Sequence, residues 1–234
     1  MISKRCSGNS SQSVPPSADQ PTAMTDNSKQ CASGGSHPSD CEILEGYRRR
    51  ARDKNRQPSE EERMMLAKAE PIRLLLLDVD GVLTDGTLIY SDEGVESKAF
   101  NTQDGLGIRL VQQAKVMTGI ITARTSHLVA RRAKELDMAH IRQGARNKLE
   151  EFKSILGDTG LKPYQVCYMG DDLIDLGLLA RVGLAACPAN AVEAVKDACH
   201  FVASRPGGAG AVRETCDLII QAKGLHDTLL QQFL

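Results

Sequence analysis

Two carboxylates one residue apart follow a run of leucines in Arg73-Leu-Leu-Leu-Leu-Asp78-Val-Asp80-Gly81. A short apolar run closed by Asp and Gly is typical of a strand buried on both faces of a parallel sheet. Ligands of such sheets bind beyond the carboxyl ends of the strands, which is where Asp78 and Asp80 fall. Gly81 must begin a loop if both side chains are to face one ligand. An isolated Asp-x-Asp also suits an ordinary strand boundary, so the interpretation depends on the rest of the chain.

Polar side chains also end two later apolar runs. Thr122 follows the run that starts at Met117. The run that ends at Met169 is followed by three carboxylates: Asp171, Asp172 and Asp175. Since the carboxyl ends of parallel strands lie at one edge of a sheet, we expect these groups to lie beside Asp78 and Asp80. Clustered carboxylates without His or Cys partners favour a hard cation such as Mg²⁺.

Lys148 has an unusual position for a cation. Asn147 with Glu150 three residues on predicts a helix start, which places Lys148 in the first turn, where the helix dipole disfavours positive charge. This indicates an anion in front of the helix, although a solvent-exposed surface lysine is the alternative. The whole set predicts phosphoryl transfer. One carboxylate attacks phosphorus, the second acts as acid and then as base, and Thr122 and Lys148 hold the phosphoryl oxygens.

The elements that must position these residues alternate between strand and helix patterns. Residues 87–90 and 95–100 flank a turn at Gly94 and predict a β-hairpin. We expect strands at 140–143, 183–186 and 200–203 and helices at 104–113, 126–136, 147–156, 191–197 and 209–223. Such alternation predicts an α/β fold of Rossmann type, with a mostly parallel sheet and helices on both faces.

The first part of the 234-residue chain has a different composition. Segments rich in Ser, Gly and Pro carry too little apolar surface to offset the entropy of ordering, so residues 1–70 are predicted to form a disordered extension. Residues 71–234 are predicted to form the folded domain. Ser59, with acids in the turn that follows it, favours a short helix just ahead of that domain.

Composition excludes several classes of partner. The chain has 29 basic and 30 acidic residues and is 3% aromatic, so it lacks the field and the stacking residues of a nucleic-acid binder. No apolar stretch approaches the roughly 20 residues that span a bilayer, so no membrane partner is expected. The N-terminus has no secretory signal, and seven irregularly spaced cysteines form no disulfide pattern. These features predict a cytoplasmic protein.

Four ordered motifs resemble those of the haloacid dehalogenase (HAD) superfamily. They are Asp78-Val-Asp80-Gly-Val-Leu-Thr84, Ile121-Thr122-Ala-Arg124, Lys148 and Gly170-Asp171-Asp172-Leu-Ile-Asp175. The resemblance implies that Asp78 is the nucleophile, that Asp80 is the acid and base, and that Thr122 and Lys148 bind the phosphoryl group. It also implies Mg²⁺ held by the Asp78 carboxylate, the Asp80 main-chain carbonyl and Asp171. Asp172 and Asp175 stay open between structural support and contact with a metal-bound water.

Within that superfamily a cap domain usually selects the substrate. Here residues 85–121 and 125–147 are too short to hold one beside the predicted elements, so a capless enzyme is expected. The hairpin, the loop 98–105 and the segment 205–214 closely resemble the 3-deoxy-D-manno-octulosonate 8-phosphate (KDO 8-phosphate) phosphatases, over roughly residues 71–225. The resemblance implies a role in lipopolysaccharide synthesis and a homotetramer with its hairpins at the centre. A neighbour's tail, made movable by the glycines at 207–210, would cover each site.

The same resemblance implies a set of substrate-binding positions for a small sugar-acid phosphate. They are Asp80, Asn101, Thr102, Gln103, Asp104, Gly105, Arg109, Arg124, Arg132 and Lys148. Arginines suit bidentate binding of a carboxylate or phosphate. Arg132, next to Arg131, is also compatible with a solvated charge. Two other functions stay open: a phosphatase of nonulosonate 9-phosphates or another sugar phosphate, and a non-catalytic oligomerisation module, which the intact acids argue against.

Overall fold

The computed structural model describes residues 42–43, 45–46 and 58–233. The chain divides into two compact units, residues 1–52 and 53–234. In the first unit, residues 42–43 and 45–46 are helical. The disorder predicted before residue 58 falls, apart from these four residues, outside the described residues. The second unit contains every element discussed below.

A parallel sheet of six strands in the order β5-β4-β1-β6-β7-β8 forms the centre of this unit. The strands are β1 (Leu74–Leu77), β4 (Met117–Ile121), β5 (His140–Arg142), β6 (Val166–Met169), β7 (Leu184–Cys187) and β8 (Phe201–Val202). β1 pairs with β4 on one side and with β6 on the other. Its four leucines are fully buried because helices cover both faces of the sheet. The predicted α/β fold with a parallel sheet is confirmed.

Within residues 58–233, eight helices surround the sheet: α1 (Glu60–Ala69), α2 (Thr102–Gln113), α3 (His127–Glu135), α4 (Lys148–Thr159), α5 (Leu176–Leu179), α6 (Glu193–Ala198), α7 (Ala211–Ala222) and α8 (His226–Leu230). Leu75 and Leu77 pack in one core with α1, α2, α3 and α7. Leu74 and Leu76 point the other way and pack with α4, α5 and α6, as strand alternation requires. Among the described residues, no helix has the length and apolar character needed to cross a bilayer.

The helix predicted ahead of the domain belongs to it. Ser59 caps α1 through a reciprocal pair of hydrogen bonds with Glu62. Ala69, at the other end, is fully buried in the core, and Met65 packs against that core. The predicted boundary at residue 70 is therefore wrong for residues 60–70. A single apolar edge of a largely charged helix is enough to hold it on the domain.

The hairpin consists of β2 (Ile89–Tyr90) and β3 (Glu96–Ser97), which pair antiparallel and are shorter than predicted. Gly94 has a φ of 76° and makes the turn. Within the continuously described residues 58–233, the interval 85–116 holds this hairpin and α2, and the interval 122–147 holds α3 and β5. No cap domain is inserted in either interval.

Helix α2 starts earlier than predicted. The Asn101 side chain accepts hydrogen bonds from the backbone N–H groups of Gln103, at 2.7 Å, and Asp104, at 3.3 Å, and so caps the helix. Thr102 and Gln103 therefore belong to the first helical turn, whereas the predicted helix starts at Asp104.

Asp104 holds the beginning of α7. Its buried carboxylate accepts hydrogen bonds from the backbone N–H of Gly210, at 3.3 Å, and of Arg213, at 2.8 Å. A negative charge at this helix end is favourable. The preceding glycines are packed as well, because a Cβ at Gly207 would lie 1.7 Å from the carbonyl oxygen of Gly81. Close packing is therefore one reason for these glycines, while their predicted ability to reposition the tail behind them stays a prediction.

We expect Asp104→Asn to lower the free energy of unfolding by about 1–3 kcal/mol, because an amide offers one acceptor to two buried N–H donors. Urea denaturation measures this change. Asp92→Asn, in the exposed hairpin turn, makes the same chemical change without these partners and should have no effect. An Asp104→Asn protein of unchanged stability would contradict the anchoring role.

Candidate active site

The polar groups that end the strands meet at one edge of the sheet. Leu77 pairs with Ile120 and with Met169, so β1, β4 and β6 end side by side. Asp78, Thr122 and Asp171 are the first polar residues beyond these ends. Asp78 and Thr122 are buried, with 5% and 3% of their surface exposed. The predicted assembly of polar residues at the carboxyl ends is therefore present.

Lys148, the first residue of α4, is buried among these groups. Its Nζ lies 2.9 Å from Asp78 Oδ1 and 2.6 Å from Asp175 Oδ1. The alternative of a surface lysine is excluded. Burial alone would lower the pKa of Lys148, but the carboxylates of Asp78 and Asp175 together raise it above its usual value. Lys148 therefore stays protonated and supplies a fixed positive charge beside Asp78.

Asp175 holds other residues of the site in place. It is fully buried, and its Oδ1 accepts from Lys148 Nζ at 2.6 Å and from the Tyr168 hydroxyl at 2.5 Å. Its Oδ2 accepts from the backbone N–H of Asp171, at 3.0 Å, and of Asp172. Because both oxygens are engaged, Asp175 holds Lys148 and the Asp171 backbone in place. Tyr168, which the sequence reading left unassigned, belongs to the same support.

Asp172 is exposed, and its side chain accepts a hydrogen bond from the backbone N–H of Leu173 at 2.7 Å. This bond caps the short 3-10 turn from Leu173 to Asp175. For both Asp172 and Asp175, the geometry favours structural support over a direct role.

The carboxylates fit a divalent cation. One oxygen from each of Asp78, Asp171 and Asp175 lies within 4.8 Å of the others. Asp171 Oδ1 is buried and has no hydrogen-bond partner among the residues that the structure describes. Burial, reinforced by the charge of Asp78, raises the pKa of Asp171 to about 7. An unpartnered carboxylate oxygen beside a second carboxylate is the donor set that Mg²⁺ prefers, and Asp78 and Asp171 have oxygens to offer.

The turn after β1 is shaped for this arrangement. Gly81 has a φ of 91°, a conformation that favours glycine. A Cβ at this position would lie 2.0 Å from Asp171 Oδ2. Gly81 therefore allows the turn between Asp80 and Val82 to pass directly against the Asp171 carboxylate.

Asp80 faces the hairpin. It contacts the Nζ of Lys98, and Arg124 Nε lies 3.6 Å from Asp80 Oδ2. Glu96 lies 3.6 Å from Lys98 Nζ and 3.5 Å from Arg124 Nη2. The sequence reading named neither Glu96 nor Lys98 as a site residue. Their spacing of two, which places both on one face of a strand, was the available signal.

Of the three arginines proposed to bind substrate, Arg124 is the one that the structure places beside Asp80. Besides Asp80 and Glu96, it contacts the Tyr90 hydroxyl, to which its Nη2 donates at 2.6 Å. Its side chain is 44% exposed, so part of the guanidinium is open to a ligand. The hydrogen bond to Tyr90 is the main cause that raises the pKa of Arg124.

The candidates of α2 lie beside the site and interact with other parts of the chain. Gln103 accepts from Arg205 Nη1 at 3.3 Å. Gly105 packs against Arg132, whose Nη2 would lie 2.3 Å from a Cβ there. Arg132 stacks over the ring of Phe100 at 5.9 Å and is therefore a packed residue. Asn101 and Asp104 use their side chains for helix ends, as described above.

Arg109 is directed elsewhere. It pairs with Asp137 and donates to the carbonyl oxygen of Glu135, where α3 ends. Since α3 runs back from the carboxyl edge of β4 to the start of β5, this end lies toward the opposite edge of the sheet. Within one chain, the structure does not bring Arg109 together with Asp78 and Lys148.

Comparison with known proteins adds a second line of evidence. Residues 112–212 match the model of the haloacid dehalogenase-like hydrolases. The chain is 44% identical over 163 residues to 3-deoxy-D-manno-octulosonate 8-phosphate phosphatase KdsC of Escherichia coli strain K12, which covers 70% of this chain and 87% of the relative. The KdsC protein of Yersinia pestis is 42% identical over 159 residues, with 68% and 85% covered.

Solved structures of phosphatases are also similar to this chain. The 3-deoxy-D-manno-octulosonate 8-phosphate phosphatase of Moraxella catarrhalis, in complex with magnesium, phosphate and KDO, is 39% identical with a TM-score of 0.72. The match covers 73% of this chain and 98% of that one. The cobalt-bound phosphatase of Haemophilus influenzae is 36% identical with a TM-score of 0.66, covering 68% and 93%. In both cases the match includes nearly the whole of the other chain.

We expect Mg²⁺ to stabilise this protein more at pH 8 than at pH 5. Burial raises the pKa of Asp78 to about 6 and that of Asp171 to about 7, so the folded protein without metal binds more protons than the unfolded chain. Its free energy of unfolding therefore falls as the pH rises from about 4 to about 7. Mg²⁺ compensates the charge of the carboxylates only at pH values at which protons no longer compete with the metal for them.

Melting temperatures with and without Mg²⁺ at the two pH values measure this effect. Asp171→Asn should lose the stabilisation by Mg²⁺, while Asp172→Asn, the same change on the exposed neighbour, should keep it. An equal shift at both pH values would contradict the assignment of these carboxylates as the metal site.

Proposed function

Because the chain belongs to the haloacid dehalogenase-like hydrolase family, we propose that it is a Mg²⁺-dependent phosphatase that hydrolyses KDO 8-phosphate to KDO and phosphate. The observation that carries this proposal is the buried contact of Lys148 with Asp78 beside the unpartnered oxygen of Asp171. The substrate is supported by the KdsC relatives, of which this chain covers 87%. The product would enter lipopolysaccharide synthesis.

In the proposed reaction the Asp78 carboxylate attacks phosphorus in line with the ester oxygen. As the bond between phosphorus and that oxygen breaks, Asp80 donates its proton to the oxygen, and KDO leaves. Water then attacks the phosphorus of the Asp78 aspartyl phosphate, and Asp80 accepts the proton of the water. The bond to Asp78 breaks, phosphate leaves, and both carboxylates return to their first state.

The remaining groups stabilise charge. Lys148 and the Thr122 hydroxyl would hold phosphoryl oxygens as negative charge moves between them. Asp78, Asp171 and the Asp80 carbonyl would hold Mg²⁺, which supplies positive charge opposite the phosphoryl group. The support of Asp175 and Tyr168 keeps Lys148 in position without a rearrangement during the reaction. A non-catalytic module would have no reason to bury Lys148 beside so many carboxylates, given the cost of desolvation.

We further propose a homotetramer in which the hairpins meet. The hairpin exposes large apolar side chains: Leu88, Ile89 and Val95 are 46%, 50% and 58% exposed. Such a patch on a small element favours an interface with another chain. A neighbouring subunit would then enclose a site that has no cap of its own. Sedimentation equilibrium tests this directly, and a monomer at micromolar concentration would refute it.

We expect Mg²⁺-dependent release of phosphate from KDO 8-phosphate in a panel that includes nonulosonate 9-phosphates and common sugar phosphates. A chelator should abolish the release. Asp78→Asn should lose turnover by about 10⁴-fold or more and should form no acid-stable phosphoenzyme in rapid-quench experiments, because it lacks the nucleophile. Preferred turnover of a nonulosonate 9-phosphate would replace the proposed substrate, and an active Asp78→Asn protein would contradict the covalent route.

Arg124 is expected to bind the sugar carboxylate. Arg124→Ala should lower kcat/KM for KDO 8-phosphate about ten- to a hundredfold, which corresponds to about 1.5–3 kcal/mol for a charged hydrogen bond. Turnover of a phosphate ester that has no carboxylate, such as glycerol phosphate, should change much less. Arg131→Ala, which removes an exposed arginine of α3, is the matched control. Equal losses on both substrates would show that Arg124 acts on the reaction itself and not on the sugar.

A further inference from the structure

Lys98 has the most restricted environment of the charged hairpin residues. Only 1% of its side chain is exposed, and its ammonium contacts Asp80 and lies 3.6 Å from Glu96 Oε1. An ammonium group removed from water is stable only when carboxylates face it. The carboxyl groups of Asp80 and Glu96 thus face two cationic side chains, Lys98 and Arg124.

Glu96 is itself fixed from the opposite side. Its Oε2 accepts a hydrogen bond from the Ser126 hydroxyl at 2.6 Å, just ahead of α3. This bond is the main cause that lowers the pKa of Glu96, so the side chain stays ionised. The Ser126 backbone N–H is held in turn by the side chain of Gln143 at 2.8 Å. A continuous series of contacts therefore runs from the sheet edge through Ser126, Glu96 and Lys98 to Asp80.

We propose that Lys98 is a positioning residue for Asp80, and that Glu96 and Ser126 hold Lys98 in the orientation this requires. The inference rests on the role of acid and base given to Asp80 in the proposed function. Arg124 alone is a weaker support, since its Nε lies 3.6 Å from Asp80 and its side chain is 44% exposed. Lys98 is buried and in direct contact, so it limits the side-chain positions that Asp80 can adopt.

Through this role, the hairpin contributes to the active site of its own subunit. Glu96 and Lys98 lie on one face of the extended segment and point to the site, while Val95 is exposed. The hairpin thus brings a cation to the residue that must exchange a proton twice per turnover. A proton donor acts well only within hydrogen-bond reach of the leaving oxygen, so its orientation affects the rate directly.

The leaving group distinguishes positioning of an acid from general support. A sugar alkoxide needs a proton as it leaves, whereas the p-nitrophenolate of p-nitrophenyl phosphate leaves without one. The quantity kcat/KM reports the steps up to departure of this group, so it isolates the acid role of Asp80 from its later role as base. Lys98→Met retains the length of the side chain and removes the charge.

We expect Lys98→Met to lower kcat/KM for KDO 8-phosphate about 10- to 100-fold, a part of the roughly 10²- to 10⁴-fold that general acid catalysis contributes, and for p-nitrophenyl phosphate less than about threefold. Glu96→Gln should show the same selectivity with a smaller loss and serves if Lys98→Met folds poorly. In an Asp80→Asn background, Lys98→Met should add less than about twofold, because the residue it positions is already inactive. Lys153→Met, on the exposed face of α4, should leave both substrates unchanged, and melting temperatures verify folding.

Equal losses on both substrates, or a full additional loss in the Asp80→Asn background, would overturn the proposal, because Lys98 would then act on the phosphoryl group itself. Unchanged kinetics in Lys98→Met would overturn it as well. If KDO 8-phosphate is not hydrolysed, the proposed substrate fails separately, and the same comparison is made on the best primary alkyl phosphate of the panel. If no alkyl phosphate is turned over, the proposed reaction is excluded, and the proposed role of Lys98 is excluded with it.

Discussion

The crowding of carboxylates around one buried ammonium is the interaction on which the rest of the site depends. Asp78 and Asp175 both contact Lys148, and Asp171 adds a further negative charge with an unpartnered oxygen. Burial raises the pKa values of Asp78 and Asp171, and the repulsion among acids that one lysine cannot neutralise raises them further. The folded site is therefore incomplete without additional positive charge, and a divalent cation supplies it most directly.

Such a site requires several backbone segments to pack very closely against it and against one another. Gly81 lets the turn after β1 touch Asp171, and Gly207 lets the segment before α7 touch Gly81. Asp104 then fixes the start of α7 across more than one hundred residues of sequence. Motifs that are distant in sequence are thus held together by small residues and by one buried carboxylate, with little contribution from movable loops.

The sequence predicted the sheet and the catalytic edge well because these depend on local patterns. Apolar runs such as Leu74 to Leu77 indicate central strands, whatever the order of the strands in the sheet. Because the strands are parallel, their carboxyl ends lie at one edge of the sheet. The predicted start of α2 was two residues late, because the cap at Asn101 is recognised only when its side chain is seen to accept from the backbone N–H groups of Gln103 and Asp104. Lys98 and Tyr168 were missed for another reason: their partners are 18 and 7 residues away, and no periodicity connects a lysine of a hairpin to the turn after a strand.

The absence of a cap in residues 58–233 changes what the hairpin must do. Enzymes that act on phosphate esters need the proton donor to be oriented and the site to be shielded from water. In this chain, the side of the hairpin that faces the sheet carries Glu96 and Lys98 toward Asp80, and its other residues, Ile89 and Val95, are apolar and exposed. One element of a few residues thus offers charge to the site and apolar surface to a partner. Association through the apolar side would hold the charged side in place. Assembly of the subunits would therefore be linked to the orientation of Asp80 through the rigidity of the two short strands.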